Sequence, residues 1–428
     1  MRDATQALTV LAEIAPAARA ELEARLAAIA SQMHSNAIFR PCELPDTHFM
    51  RFAIIDDPRR EFPALLAWES NHDGREAAYL AAVARTTPTI SAIFACCTGY
   101  PAAGTADVAG WVAWMQAHSH RSAAFYVGYR GVPHLVVQND LAVHDAIRDA
   151  LDDADRRALR ALSTCDFQVY LRDQVAARRP DLDLSPGDGD RDELRWLVGR
   201  IAAGLTALAL APLALVILPV WYVLLRRHEE RDLATAYARP IEVAPEARCD
   251  EDQVTQNQLT HLVDIKPGAF RLATLWLVLT AIDVVARVLA VRGQLGGITA
   301  IHFARWVILR DRRPVARKRR RHRLLFFSNY DGSWQSYLGE FIDRAASGLT
   351  AVWSNTVGFP ATRHLVLGGA RDEEAFKQWT REHQIPSQVW WSSVPEATVQ
   401  NIRDDIAIRR SLARGLAEPE LEELARKL

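Results

Sequence analysis

The chain has 428 residues, a length that suits two or three domains of ordinary size. Its 51 Lys and Arg residues balance 52 Asp and Glu, so overall charge gives no support to nucleic acid or any other polyanion as partner. Five cysteines (Cys42, Cys96, Cys97, Cys165, Cys249) make no CxxC pair, which argues against a zinc site and a disulfide framework, and Met1-Arg2-Asp3-Ala4 lacks the pattern of a secretory signal.

In chain order, residues 8–14 alternate as a strand. Pro16 then opens a helix with Leu22, Leu26 and Ile29 on one face and Arg19, Glu21, Glu23 and Arg25 on the other. Residues 48–55 and 64–69 read as two more strands around a hairpin tip at 56–60. Asp73 is placed to cap the next helix, with Glu76 completing a capping box. Residues 90–97 read as a fourth strand in which Cys96 and Cys97 are small buried side chains. The order βαββαβ predicts a ferredoxin-like unit, an antiparallel sheet with helices on one face. A helix around Trp111, an aromatic strand at Phe125-Tyr126 and a last helix complete it within residues 1–150.

Residues 151–195 read as a polar helical linker. Residues 201–225 then form an uncharged run of 25, with Arg195 and Arg200 before it and Arg226 and Arg227 after it. About 20 apolar residues suffice to cross a bilayer core, and Trp196, Trp221 and Tyr222 sit where interfacial aromatics belong. Residues 196–227 are therefore expected to be transmembrane or re-entrant, Pro212 and Pro219 permitting a kink. A polar connector follows at 228–257.

Residues 8–137 are then written a second time, in altered form, as 259–399. Leu8 to Pro16 answers to Leu259 to Pro267, and His48-Phe49-Met50-Arg51-Phe52 to His302-Phe303-Ala304-Arg305-Trp306. Ser70-Asn71-His72-Asp73-Gly74 answers to Ser328-Asn329-Tyr330-Asp331-Gly332. Gly99-Tyr100-Pro101 matches Gly358-Phe359-Pro360, Trp114 and His118 match Trp379 and His383, and Phe125-Tyr126 matches Trp390-Trp391. Each copy is long enough to bury its own core, so this is a duplicated domain (258–412 the second copy) and not a solenoid unit. A C-terminal helix is expected at 413–428. In the second copy the helix at 270–291 has lost its polar face: aligned residue for residue, Arg19, Glu21, Glu23 and Arg25 become Phe270, Leu272, Thr274 and Trp276. Such a face is expected against lipid or against the 201–225 segment, with Asp283 and Arg287 pairing four residues apart. Two copies that pair must lie on one side of a membrane.

The open faces of two such sheets are expected to stack, an arrangement that resembles the dimeric α+β-barrel superfamily, which includes dye-decolourising peroxidases, chlorite dismutases and cofactor-free monooxygenases. The resemblance rests on element order and duplication over residues 7–150 and 258–412. The GxxDG motif of the peroxidases is met only by Gly369-Ala370-Arg371-Asp372-Glu373, which lacks the last glycine. More specifically, the His302–Trp306 strand and the Asn329–Ser333 turn are similar to those of bacterial membrane proteins of undefined activity.

His48, Arg51, His302 and Arg305 are the candidate catalytic residues. On a regular strand His and Arg three apart point to opposite faces, so a histidine over the inter-sheet cavity would serve as haem ligand, proton shuttle or metal ligand, and an arginine would steady an anionic intermediate or pair with Asp73 or Asp331. Ala304 in place of Met50 leaves room that favours the second copy as the working one. The bland alternative is a buried histidine, with Asn and Asp of the turn serving local backbone. Phe125, Tyr126, Trp353, Trp390 and Trp391 are the candidate lining of an apolar or planar ligand site. Nine basic residues fall between 310 and 323, among them Arg317, Lys318, Arg319, Arg320 and Arg321, and are expected to contact anionic lipid head groups. No P-loop, GxSxG, HExxH or GxGxxG is present. The sequence thus supports a protein of the bacterial cytoplasmic membrane, its folded parts cytoplasmic, that holds an apolar, lipid-derived or planar ligand. The alternatives are a haem-dependent or cofactor-free oxidoreductase and a non-catalytic scaffold.

Overall fold

Strand β1 (Gln6–Glu13) lies antiparallel to β3 (Leu65–His72), which pairs with β2 (Thr47–Ile55). In the second half β5 (Gln256–Asp264), β7 (His322–Asp331) and β6 (Ile301–Arg310) repeat that order, and residues matched in the sequence take the same register: Leu8 faces Ser70 as Leu259 faces Ser328. The computed structural model describes residues 5–59, 61–155, 157, 159, 162–185, 189–232, 254–288, 297–310 and 321–413. Within them the fold is mixed α+β with two antiparallel four-stranded sheets and one small hairpin at Thr362–Arg363 and Leu367–Gly368.

The fourth strand of each sheet comes from the other half of the chain. The aromatic strand β4 (Ala124–Val127) adds to β6, and β8 (Ser387–Ser392) adds to β2. Alternation along a strand sends successive side chains to opposite faces, so Tyr126 enters the core of the second sheet while Trp391 enters that of the first. Neither core is complete without a side chain from the other half.

The strand expected at 90–97 is a helical turn instead, Pro88–Ile90 followed by Ser91–Phe94. Pro88 presets the turn, and the free edge of β1 is met by single bridges, Ile14 to Cys97 and Val10 to Ser119, so a continuous fourth strand has no place there. The second sheet has the same bridges, Ile265 to Thr356 and His261 to Gln384. Cys96 and Cys97 are buried in this turn.

Helices α1 (Arg19–Ser31), α2 (Glu76–Thr86) and α3 (Val108–Ala117) cover one face of the first sheet. Leu22, Leu26 and Ile29 are fully buried there with Trp68, Phe94 and Trp111, as the 3.6-residue spacing requires. Helices α4 (His134–Asp152) and α5 (Thr164–Arg178) follow β4 and share a core with the last helix among the described residues. Next comes α6 (Gly189–Arg231), 43 residues long, helical through both Pro212 and Pro219.

Helix α7 (Ala269–Val288) is the counterpart of α1, and its residues Ala269–Ala286 are long and apolar enough to cross a membrane. Its buried residues Leu275 and Leu279 match Leu22 and Leu26, which moves the sequence alignment by two residues: Glu23 answers to Trp276 and Arg25 to Val278. The polar face is still lost, for Trp276, Leu277, Val284 and Val285 are exposed. Asp283 accepts the Phe125 N–H at 3.2 Å, a tie to the exchanged strand β4 that the expected pairing with Arg287 did not foresee; the Arg287 side chain lies outside the described residues. Helices α8 (Trp334–Trp353), α9 (Glu373–Glu382) and α10 (Val399–Ala413) complete the second half, and Asp372 of the peroxidase-like string caps α9 by accepting from Ala375 N–H. The expected helix at 413–428 lies beyond the described residues except for Ala413, the last residue of α10.

Candidate functional site

His48, Arg51, His302 and Arg305 meet where the two sheets face each other. A bulge between Thr47 and Phe49, repeated between Ile301 and Phe303, leaves each histidine out of its ladder. His and Arg therefore do not diverge as regular alternation predicts. His48 stands 5.4 Å from the Phe303 ring of the opposite sheet, and Arg51 crosses the same interface. His48 Nε2 lies 3.1 Å from Asp73 Oδ1 and His302 Nε2 lies 2.7 Å from Asp331 Oδ1.

The two aspartates do not cap the helices that follow them: α2 starts behind Arg75 with no side-chain cap. Asp73 Oδ2 instead accepts the N–H of His134 at the start of α4, and Asp331 Oδ2 accepts that of Val399 at the start of α10, at 2.8 Å. Gly74 and Gly332, at φ +84 and +75, make the turn that frees each carboxylate for this distant helix. A helix N-terminus offers unpaired N–H groups and a favourable dipole to an anion. Burial alone would raise the Asp73 carboxyl, but the His48 contact, the His134 N–H and the Thr5 hydroxyl together hold it below the usual carboxylate range.

Each arginine is buried and anchors in the opposite sheet. Arg51 donates to Leu259 O at 3.0 Å and Ser328 O at 2.9 Å; Arg305 donates to Leu8 O at 2.6 Å and Ser70 O at 3.1 Å. Asn329 and Asn71 accept from the same two guanidinium groups, so the asparagines of the turn serve the interface and not local backbone. In place of the expected Arg–Asp pairs a single carboxylate serves both: Glu69 lies 2.6 Å from Arg51 Nε and 2.7 Å from Arg305 Nη2. The matched position in the second sheet holds Phe327, whose ring lies 5.3 Å from Arg51 Cζ. Burial pulls Arg305 down to about 10, with Glu69 opposing and Arg51 reinforcing that shift.

Around this junction Tyr129 lies 5.8 Å from both His48 and His302, and His134 lies 5.6 Å from His48. The Tyr129 hydroxyl, both His134 nitrogens and His302 Nδ1 have no hydrogen-bond partner among the described residues. Burial drives His134 down to about 4 and Tyr129 well above its ordinary value. The second half has Val394 and Val399 at the corresponding places, both in the interface core.

This constellation is closed to substrate. His48 is 1% exposed and His302 0%, and neither ring lines the cavities beside His261, Tyr100 or Phe125. Both Nε2 atoms are committed to aspartate. The surroundings of these two buried rings therefore do not suit haem, which needs a cavity of several hundred Å³ beside its ligand, on the order of other cofactor sites. Nor does any group of three or more His, Cys, Asp or Glu among the described residues have the arrangement of a metal site. Met50 and Ala304 both face the helix layers, away from the interface, so the shorter side chain opens no room beside His302. Since both His–Asp contacts are built alike, His48→Ala and His302→Ala are each expected to cost about 3 kcal/mol, the loss of a charge-assisted hydrogen bond plus a small cavity. Denaturant unfolding of the two variants checks this, and a gap above 2 kcal/mol would show that the halves are not equivalent.

The aromatic candidates divide by strand face. Tyr126, Trp353 and Trp391 are core residues. Phe125 and Trp390 are half-buried beside the inter-sheet interface, Phe125 stacked on Phe303 and Trp390 donating to Asn329 Oδ1 at 2.9 Å. Phe125 and Val127 also floor an open cleft of 560 Å³ whose walls include Glu76, His120, Arg121 and Arg130. A second, smaller cavity of 20 Å³, room for about one water, lies among buried residues of the second core beside His261. That imidazole is fully buried among Trp353, Trp379 and His383 with neither nitrogen bonded among the described residues, and burial holds it well below its ordinary pKa. Its matched residue is Val10.

Of the basic stretch, Arg317, Lys318, Arg319 and Arg320 lie outside the described residues. Arg321 is not directed at lipid: it binds Asp264 and Asp57, each at 2.8 Å, and so ties the end of edge strand β5 to the turn between β2 and β3 of the other sheet. Trp221 and Tyr222 likewise reach protein, Trp221 donating to Thr274 Oγ1 at 3.1 Å and Tyr222 bonding His364 Nδ1 at 2.8 Å. Glu69, Tyr129, His134 and His261 escaped the sequence reading. The signal for each was a mismatch between copies, against Phe327, Val394, Val399 and Val10. Comparison with protein families, with curated proteins and with solved structures found no match for this chain.

Proposed function

We propose that this chain is a membrane-associated protein of α+β-barrel type: two ferredoxin-like units, packed sheet to sheet with their aromatic strands exchanged, held at the cytoplasmic face of a bilayer. The observation that carries the reading is the surface of α6. Leu215, Val216, Ile217 and Leu218 are consecutive, 100° apart around the axis, and 51–76% exposed, so every side of the helix is apolar and uncovered. Ile201, Leu205, Leu208, Leu213 and Val220 are uncovered as well. A protein partner on one side would leave the others in water, whereas lipid covers all of them.

The exchanged strands and the shared Glu69 favour a rigid, non-catalytic body, because the histidines that an oxidoreductase would use are sealed. The cleft over Phe125 is the place we assign to a lipid-derived ligand, its apolar part on Phe125 and Val127 and an anionic end toward Arg121. Alkaline carbonate extraction tests the membrane reading: the full chain is expected to stay with the membrane fraction, and release into the supernatant would overturn it. Leu208→Arg combined with Leu215→Arg is expected to reduce retention severalfold without altering circular dichroism of the body, since those side chains are 72% and 76% exposed.

A further inference from the structure

Helix α6 is too long and too firmly held to cross a bilayer once. Its C-terminal end is docked on the second half: Leu225 is buried against Ala351 and Leu365 with Trp221 and Phe270 beside it, and Glu229 accepts the backbone N–H groups of His364 and Leu365 at 3.0 and 2.8 Å. Just beyond, Asp232 binds Lys266 and Arg271. The N-terminal end is held too. Leu184 packs into the core made by α4, α5 and α10, and only five peptide steps, about 18 Å at full stretch, separate it from Gly189.

From Leu225 back to Gly189 the helix runs about 54 Å at 1.5 Å per residue. Were α6 normal to the membrane, Gly189 would stand that far from the docked end and Leu184 at least ~36 Å from it, beyond a hydrocarbon core of about 30 Å. Leu184 and Leu225 belong to one body, whose halves share sheets through β4 and β8 and cannot part across a bilayer. Nor does α7 bring the chain back, because Leu275 and Leu279 fix it on the second sheet and Asp283 ties it to β4.

We infer that α6 lies parallel to the bilayer plane, sunk among the acyl chains of a single leaflet, with the exposed Trp276 and Leu277 of α7 extending the same lipid-facing surface. The protein is thus monotopic. Lipid acyl chains fit this surface because it is apolar around the whole circumference, while the exposed Arg227 stands just beyond the apolar run, where head groups begin. This inference rests on the proposed membrane association and refines it.

Nitroxide labels at Leu205→Cys, Leu213→Cys and Val220→Cys, one at a time, test it in the full chain reconstituted in sealed phosphatidylcholine–phosphatidylglycerol vesicles, with Cys42, Cys165 and Cys249 replaced by Ser. The three labels are expected at one depth within a few Å, by oxygen against nickel-chelate accessibility. A depth that changes steadily by a total of about 22 Å from 205 to 220, at 1.5 Å per residue, would overturn the in-plane placement. A membrane-impermeant maleimide should label Asp190→Cys and Glu230→Cys from the same side of the vesicle, and labelling from opposite sides would overturn it equally. Failure of the chain to float with vesicles would instead remove the membrane reading itself.

Discussion

Glu69→Gln is expected to unfold the body or leave it without fixed tertiary structure. Glu69 is 1% exposed and is the one carboxylate shown in contact with both Arg51 and Arg305, themselves 0% and 1% exposed. Breaking a buried pair costs on the order of 3–5 kcal/mol because a charge is left uncompensated. Here two guanidinium groups lose the same partner, and total stability for a domain is only about 5–15 kcal/mol. The amide of Gln keeps the shape and one acceptor, so the loss isolates charge. Both halves should fail together, since each arginine hangs from the backbone of the opposite sheet. Near-ultraviolet circular dichroism and the denaturant midpoint read this directly. An unfolding free energy within about 1 kcal/mol of the parent chain would mean that the guanidinium–carbonyl contacts alone hold the interface. The triple variant Arg51→Met, Glu69→Leu, Arg305→Met is expected to recover much of the stability, because removing every charge removes the penalty that makes the single change severe.

How far these features could be read in advance depended on periodicity and on pairing range. The α1 face was legible because Leu22, Leu26 and Ile29 recur at helical spacing, and β1, β2 and β3 because alternation survives in each. The exchange of β4 and β8 was not legible. A four-residue aromatic strand carries no mark of which sheet it joins, and the choice is made by long-range registry, Phe125 opposite Arg305 and Trp390 opposite Arg51. The bulge at His48 was equally silent, since an extra residue in one strand is defined only by its partner. Residues 90–97 misled because apolar β-branched side chains suit either a strand or a buried helical turn over so short a run. At the site, matching the two copies did find His48, Arg51, His302 and Arg305, and these do converge. It missed what they do, because Asp73 and Asp331 look like local caps and act instead on helices that start at His134 and Val399. Residues unique to one copy, such as Glu69 against Phe327, are invisible to any search for what the copies share.

Those same mismatches predict acid lability. His72 and His134 are each held down to about 4 by burial, the Asp73 backbone contact offsetting part of this at His72, and His261 is held well below its ordinary value by burial with His383 reinforcing it. Between the unfolded value near 6.5 and the folded value the unfolded chain binds protons that the native one refuses. Stability is therefore full above about pH 6.5 and is lost as pH falls toward 4. A depression of this size corresponds to about 3 kcal/mol for each of His72 and His134, so the two together approach the margin of the fold. Asp73, held below its ordinary value, adds loss in the same direction at lower pH. His144 opposes, since the Asp405 hydrogen bond raises it against burial, and contributes stability below its unfolded value. The chain itself supplies the control. His72 stacks on Tyr79 at 3.8 Å as Tyr330 stacks on Tyr337 at 3.8 Å, and Val399 and Val10 stand where His134 and His261 have their matches. His72→Tyr, His134→Val and His261→Val each install a residue already accommodated at the corresponding place. Combined, they are expected to move the acid unfolding midpoint down by about one pH unit or more, while the single variants move it less. An unchanged midpoint in the triple variant would show that acid acts through the carboxylates at the helix N-termini and not through these imidazoles.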